Sequence, residues 1–104
     1  MTTRQLALVA DQFKVLAEPA RLGILQALMP GERAVGDLQA ATGLGQANLS
    51  KHLRLLHAAG FVTRRKDGLF VYYDIADPRV FELCDVMCAK LDAQLAAQRA
   101  ALAR

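Results

Sequence analysis

Two short, apolar-striped helices joined by a glycine turn and followed at once by a basic hairpin limit what this chain can become more than any other feature. From Val35 to Ala41 the residues Val35, Leu38 and Ala41 fall on one helical face. Thr42-Gly43-Leu44-Gly45 then reads as a tight turn, because glycine supplies the positive φ that a reversal needs. The next helix, Gln46 to Ala59, turns Leu49, Leu53 and Leu56 inward and is stopped by Gly60. Phe61-Val62-Thr63 and Phe70-Val71-Tyr72-Tyr73 have strand character, predicting strands over 61–66 and 69–75. Lys66-Asp67-Gly68-Leu69 lies between them, and its Asp-Gly pair is a strong two-residue hairpin signal.

The flanks are helical. Over 4–17, Leu6, Val9, Ala10, Phe13, Leu16 and Ala17 repeat at i, i+3, i+4, i+7. Glu18-Pro19 breaks that helix and opens a second, Pro19 to about Met29, predicted to bury Leu22, Ile24, Leu25 and Leu28 before Pro30-Gly31. Asp77-Pro78 predicts the start of a last helix, with Asp77 as N-cap and Pro78 in its first turn. Its apolar stripe runs through Val80 or Phe81, Cys84, Cys88, Leu91, Leu95 and Leu102. The expected order is four helices, a β-hairpin and a helix, a mainly α winged helix-turn-helix in one domain over 1–104.

Charge places the function in the middle of that order. Between Gly43 and Tyr73 stand Lys51, Arg54, Arg64, Arg65 and Lys66 against the single acid Asp67, within a chain of net charge +3. A basic segment between near-neutral ends points to a polyanion. On the helix from Gln46, the side away from the leucines presents Ala47, Asn48, Ser50, Lys51 and Arg54. Asn and Gln pair with adenine edges, Arg and Lys with guanine or phosphate, and Ser with either. Gln46, Asn48, Ser50, Lys51 and Arg54, with Arg64, Arg65 and Lys66 from the wing, are therefore candidate contacts to double-stranded DNA. His52 is a further candidate contact, with satisfied packing against the helix as the competing reading. A winged-helix module that binds protein is the alternative to DNA reading. No apolar run approaches the roughly 18–20 residues of a membrane span, and no signal peptide opens the chain, so a cytoplasmic protein is expected. No nucleophile–base pair, phosphate loop or convergent carboxylates suggest an enzyme.

The segments Leu16-Ala17-Glu18-Pro19-Ala20-Arg21-Leu22-Gly23-Ile24-Leu25, Val35-Gly36-Asp37-Leu38, Leu49-Ser50-Lys51-His52-Leu53-Arg54-Leu55-Leu56, Ala59-Gly60-Phe61-Val62 and Gly68-Leu69-Phe70-Val71-Tyr72-Tyr73 resemble the ArsR/SmtB family, in its order and spacing. The resemblance covers nearly the whole chain. It implies a bacterial homodimeric repressor whose first and last helices pair across a twofold axis. Its recognition helix would be Gln46–Ala59, its partner an inverted-repeat operator, and an effector would release the DNA. Gly45 departs from the family, which often has Ser there, so a hydroxyl cap is lost.

The resemblance also says where to look for the effector. The thiol motif of arsenic and cadmium sensors would fall on Ala34-Val35-Gly36-Asp37-Leu38, which has no Cys. The zinc pattern of the last helix would fall near Asp77-Pro78-Arg79, which has no His. What remains is Cys84 and Cys88, one turn apart and about 6 Å along a helix axis. As thiolates they suit arsenite or another thiophilic ion, so they are the candidate effector-sensing and metal-ligating residues, with no cofactor required. Oxidation or reaction with a persulfide is the second chemistry. The competing reading is that both cysteines only pack, as small hydrophobes on the same stripe as Leu91 and Leu95.

Overall fold

Leu38, Leu49, Leu53 and Leu56, the leucines assigned by spacing to the inner faces of the two central helices, are fully buried. They meet Leu16, Ile24, Leu25, Leu28, Val62, Tyr73 and Val80 in one hydrophobic cluster. The computed structural model describes residues 1–103. Its elements are α1 (Thr3–Leu16), α2 (Pro19–Ala27), β1 (Arg33–Ala34), α3 (Val35–Thr42), α4 (Gln46–Ala58), β2 (Val62–Asp67), β3 (Phe70–Ile75) and α5 (Val80–Leu102). This is the expected winged helix-turn-helix order with one short strand added.

Local chemistry sets the helix boundaries. Thr2 and Gln5 form a capping box at α1: the Gln5 amide donates to Thr2 Oγ1 at 3.1 Å, and the Thr2 amide to Gln5 Oε1 at 2.8 Å. Glu18 caps α2 by accepting from the Ala20 amide at 3.2 Å, with Pro19 in the first turn. Between α3 and α4, Gly43 takes the left-handed conformation at φ 71°. Thr42 Oγ1 donates back to the Leu38 carbonyl at 2.6 Å and accepts from the Leu44 amide at 3.3 Å, which fixes the turn. Gly45 then enters α4 without a side-chain cap.

The structure corrects the expected elements at four places. The wing belongs to a three-stranded antiparallel sheet in the order β1-β3-β2, with Arg33 opposite Tyr73 and Ala34 opposite Tyr72. Asp67 pairs with Phe70 instead of lying in the turn, so the two-residue loop is Gly68-Leu69. Gly68 takes φ 59°, and no non-glycine among the described residues has positive φ, which is the pattern of a type II′ hairpin. Regular α5 starts at Val80, not Pro78: the Val80 and Phe81 amides donate to Asp77 and Pro78 carbonyls in a tighter turn. Asp77 still caps that turn, accepting from the Arg79 amide at 2.9 Å. Finally, Leu22 and Ala41, expected to face inward, are exposed, because nothing from the same chain covers them; the α1 residues Leu6, Val9 and Phe13, which share one face as expected, are exposed as well.

The exposed apolar residues cluster on two helices. Along α5, Leu83, Met87, Leu91 and Leu95 recur every fourth residue and are each about half exposed or more. Of this helix only Val80 is buried, with Phe81 packed against the core. The protomer is consequently extended, 61 × 38 × 22 Å with a radius of gyration of 16.7 Å, where a compact chain of this length has about 13 Å. Its accessible surface is 7514 Å², against roughly 5,700 Å² for a compact protein of 11.3 kDa.

Candidate nucleic-acid interface

The core leucines of α4 fix the direction of everything else on that helix. With Leu49, Leu53 and Leu56 buried, Ala47, Asn48, Ser50, Lys51 and Arg54 are left exposed on the outer side. Gln46 and Ser50 lie on the flank nearest the wing, where they line a cleft of about 380 Å³ together with Arg64, Leu69 and Phe70. Among the described residues, Lys51, Arg54, Arg64 and Lys66 have no ion-pair partner, so their charge is available to a ligand.

The hairpin sorts its charges by face. Residues directly opposite across a ladder share a side, so Arg64 with Tyr73 and Lys66 with Val71 lie on the face of buried Val62. Arg65 and Tyr72 occupy the other face, with the Arg65 guanidinium carbon 4.6 Å from the Tyr72 ring centroid. There Arg65 forks onto Glu32, donating from Nε at 3.1 Å and from Nη2 at 2.7 Å, and Asp67 lies 3.6 Å from Nη1. The fork holds the Glu32 carboxyl below the ordinary glutamate value and pushes Arg65 further up. Of the three basic wing residues, Arg64 and Lys66 thus remain unpaired on the α4 side, while Arg65 ties the wing to the loop before β1.

His52 is half-buried on the other flank of α4, its Nδ1 3.3 Å from Arg21 Nη1 on α2. A guanidinium only donates, so Nδ1 is the acceptor in this contact. Arg21 also donates from Nε to the Val15 carbonyl, linking α1, α2 and α4. Cys84 is half-buried and Cys88 exposed, both unbonded thiols. Among the described residues no group of three or more His, Cys, Asp or Glu side chains is placed to hold a metal ion. Sequence reasoning missed Arg21, Glu32 and Tyr72. Each works through a contact with a residue 7 to 33 positions away or through cross-strand register, for which the sequence carries no local signal.

A turn-linked helix pair, an outward polar and cationic helix face and an adjoining basic hairpin define a winged helix-turn-helix DNA-binding protein. Comparison with known proteins agrees. Residues 18–64 match the model of the bacterial regulatory protein, arsR family. The chain is 45% identical over 80 residues to the HTH-type transcriptional regulator Rv0081 of Mycobacterium tuberculosis, covering 76% of this chain and 70% of the relative. It is 40% identical over 89 residues to a probable mercury resistance operon repressor of Streptomyces lividans, covering 86% and 67%. The crystal structure of Rv0081 superposes with a TM-score of 0.78 at 39% identity, over 94% of this chain and 98% of that one. The solution structure of the homodimeric winged helix-turn-helix domain of Mb0332 from Mycobacterium bovis gives 0.76 at 36% identity, over 91% of each. The chain belongs to the ArsR family of bacterial transcriptional regulators. No described helix is long and apolar enough to cross a membrane.

Proposed function

We propose that this protein is a homodimeric repressor that holds an inverted-repeat operator through its two α4 helices and releases it when a thiol-reactive effector acts at Cys84 and Cys88. The observation that carries the DNA reading is the outer face of α4, where Asn48, Ser50, Lys51 and Arg54 stand exposed, with Arg64 and Lys66 unpaired on the adjoining wing. Dimerisation is supported by the surplus surface. Each protomer exposes about 1,800 Å² more than a compact chain, and two such surfaces fall within the roughly 2,000–5,000 Å² of obligate dimers. The apolar residues of α1 and α5 supply that surface. Pairing along them would set the two α4 helices near one DNA turn apart, about 34 Å. The thiols support sensing by position: they are the only cysteines, one helical turn apart, and Cys88 is open to solvent. The working compartment is that of its DNA, the cytoplasm.

The test is fluorescence anisotropy of reduced protein on the DNA upstream of its own gene, against random duplex, across salt concentrations. Wild type prefers the upstream DNA. Changing Lys51 and Arg54 to Ala together weakens binding and lowers the salt slope, by up to about 3–4 for the four contacts of a dimer. Equal binding to random duplex overturns the repressor reading and favours a protein-interaction module, and unchanged binding by the double variant removes the outer face of α4 from the DNA interface. Arsenite and a persulfide donor are then added separately. Release of wild type but not of the Cys84→Ser/Cys88→Ser protein assigns the sensor and its chemistry. Release by neither reagent removes the cysteines from the mechanism.

A further inference from the structure

The wing ends in two large apolar side chains that no part of the protomer covers. Leu69 is 98% exposed and Phe70 61%. Leu69 is more exposed than the other large hydrophobics, and those nearest to it, Met1 and Leu102, lie at the chain's ends. A scattered surface leucine needs no explanation. Leu69 differs in its surroundings. It occupies the second loop position of a tight hairpin, a place where Asn, Asp, Gly or Ser is usual, and the rigid turn holds it at the apex. Below it on the α4 side stand Arg64 and Lys66, and it shares the cleft between wing and α4 with Gln46 and Ser50. The nearby acids Glu32 and Asp67 are drawn to the opposite face by Arg65. An apolar tip with unpaired cations along its α4 side fits a ligand with a charged rim and an apolar, stacked interior, which is the make-up of a DNA minor groove.

We propose that Leu69 is an apolar wedge that enters the minor groove beside each α4 site. In that arrangement Arg64 and Lys66 bind the bordering phosphates on the α4 side, while Phe70 lies with Tyr72 on the opposite face of the hairpin. The inference rests on the reading of α4 as the DNA-binding helix and adds a second contact with different chemistry. A wedge unstacks the base step that it enters, so binding favours flexible pyrimidine–purine steps under the wing.

The test measures wild type, Leu69→Ala, Leu69→Met and Lys66→Ala on upstream DNA carrying 2-aminopurine at positions flanking the α4 sites. Because Leu69 is almost wholly exposed, its replacement leaves the fold intact, which circular dichroism verifies. Leu69→Ala is expected to weaken binding about tenfold or more with the salt slope unchanged, and to lose the rise in 2-aminopurine emission. Leu69→Met restores both. Lys66→Ala instead lowers the salt slope by about 2 per dimer and keeps the emission change. Wild-type affinity and emission in Leu69→Ala overturn the wedge and leave the tip to a protein partner. If wild type itself does not prefer the upstream DNA, the α4 reading fails first and the wedge with it, so the two failures are distinguishable.

Discussion

Leu91→Asp should dissolve the proposed dimer while sparing the protomer. In the protomer Leu91 is 55% exposed and absent from the core cluster, so the substitution removes little that holds the chain itself together. In the dimer it acts twice, because an isologous interface repeats every residue. Each copy forfeits burial of the exposed half of a leucine, about 1 kcal/mol. Each also places an unpartnered carboxylate in apolar surroundings, at a cost of about 3–5 kcal/mol. The total of roughly 8–12 kcal/mol raises the dissociation constant by at least 10⁵, about a factor of ten per 1.4 kcal/mol. Sedimentation equilibrium across micromolar concentrations reads the outcome directly. Wild type should sediment at about twice 11.3 kDa and the variant at 11.3 kDa, with the helical signal largely kept. A variant that stays dimeric with wild-type affinity for DNA would refute the assignment of α5 to the interface. A wild type that sediments as a monomer throughout would refute the surface argument itself.

Two further outcomes follow from the core and from the wing. Leu53→Ala, at a fully buried position on α4, should cost about 2–5 kcal/mol in urea unfolding and lower the midpoint without changing the slope. Glu32 has its folded-state pKa lowered by the Arg65 hydrogen bonds, so its support of the wing is complete above the ordinary glutamate value. That support is lost only as pH falls through the lowered value. NMR titration of the Arg65 Nε–H signal should show this low-pH step in wild type and lose most of it in Glu32→Gln.

Much of the fold was legible because its signals are local and periodic. Leu49, Leu53 and Leu56 mark the inner face of α4 by spacing alone, and Gly43 marks the turn by its chemistry. What escaped was non-local or too short to have a period. Arg33–Ala34 is a two-residue strand that exists only because Tyr73 and Tyr72 lie opposite it. The hairpin loop shifted by one residue because only its first position needs positive φ: Gly68 supplies it, and Asp67 joins the ladder. That shift lifts Leu69 from a strand to the apex of the wing. Charge counting marked Arg64, Arg65 and Lys66 together, whereas strand alternation divides them and Glu32 occupies the middle one. The stripe on α5 was visible as a stripe, but periodicity alone does not say whether the chain's own core or a second copy covers it.

The position of the thiols along α5 bears on which chemistry could switch such a dimer. The helix joins the core at its first turn, through buried Val80 and Phe81; Cys84 follows half-buried, and the residues beyond it are exposed. Twenty-three residues at 1.5 Å each make an arm of about 35 Å, so a tilt of only 5° at its root moves its far end by about 3 Å. A link between Cys84 and Cys88 of one helix closes a single turn and leaves the axis of the arm where it was. A soft ion or disulfide joining thiols of two arms fixes the separation of the arms near their roots instead. In the proposed dimer those roots connect through Val80 to the same core that holds α4, so the spacing of the reading helices follows. Effector chemistry that bridges subunits therefore has a mechanical route to the operator, and chemistry confined to one helix must act by adding bulk or polarity to the α5 stripe.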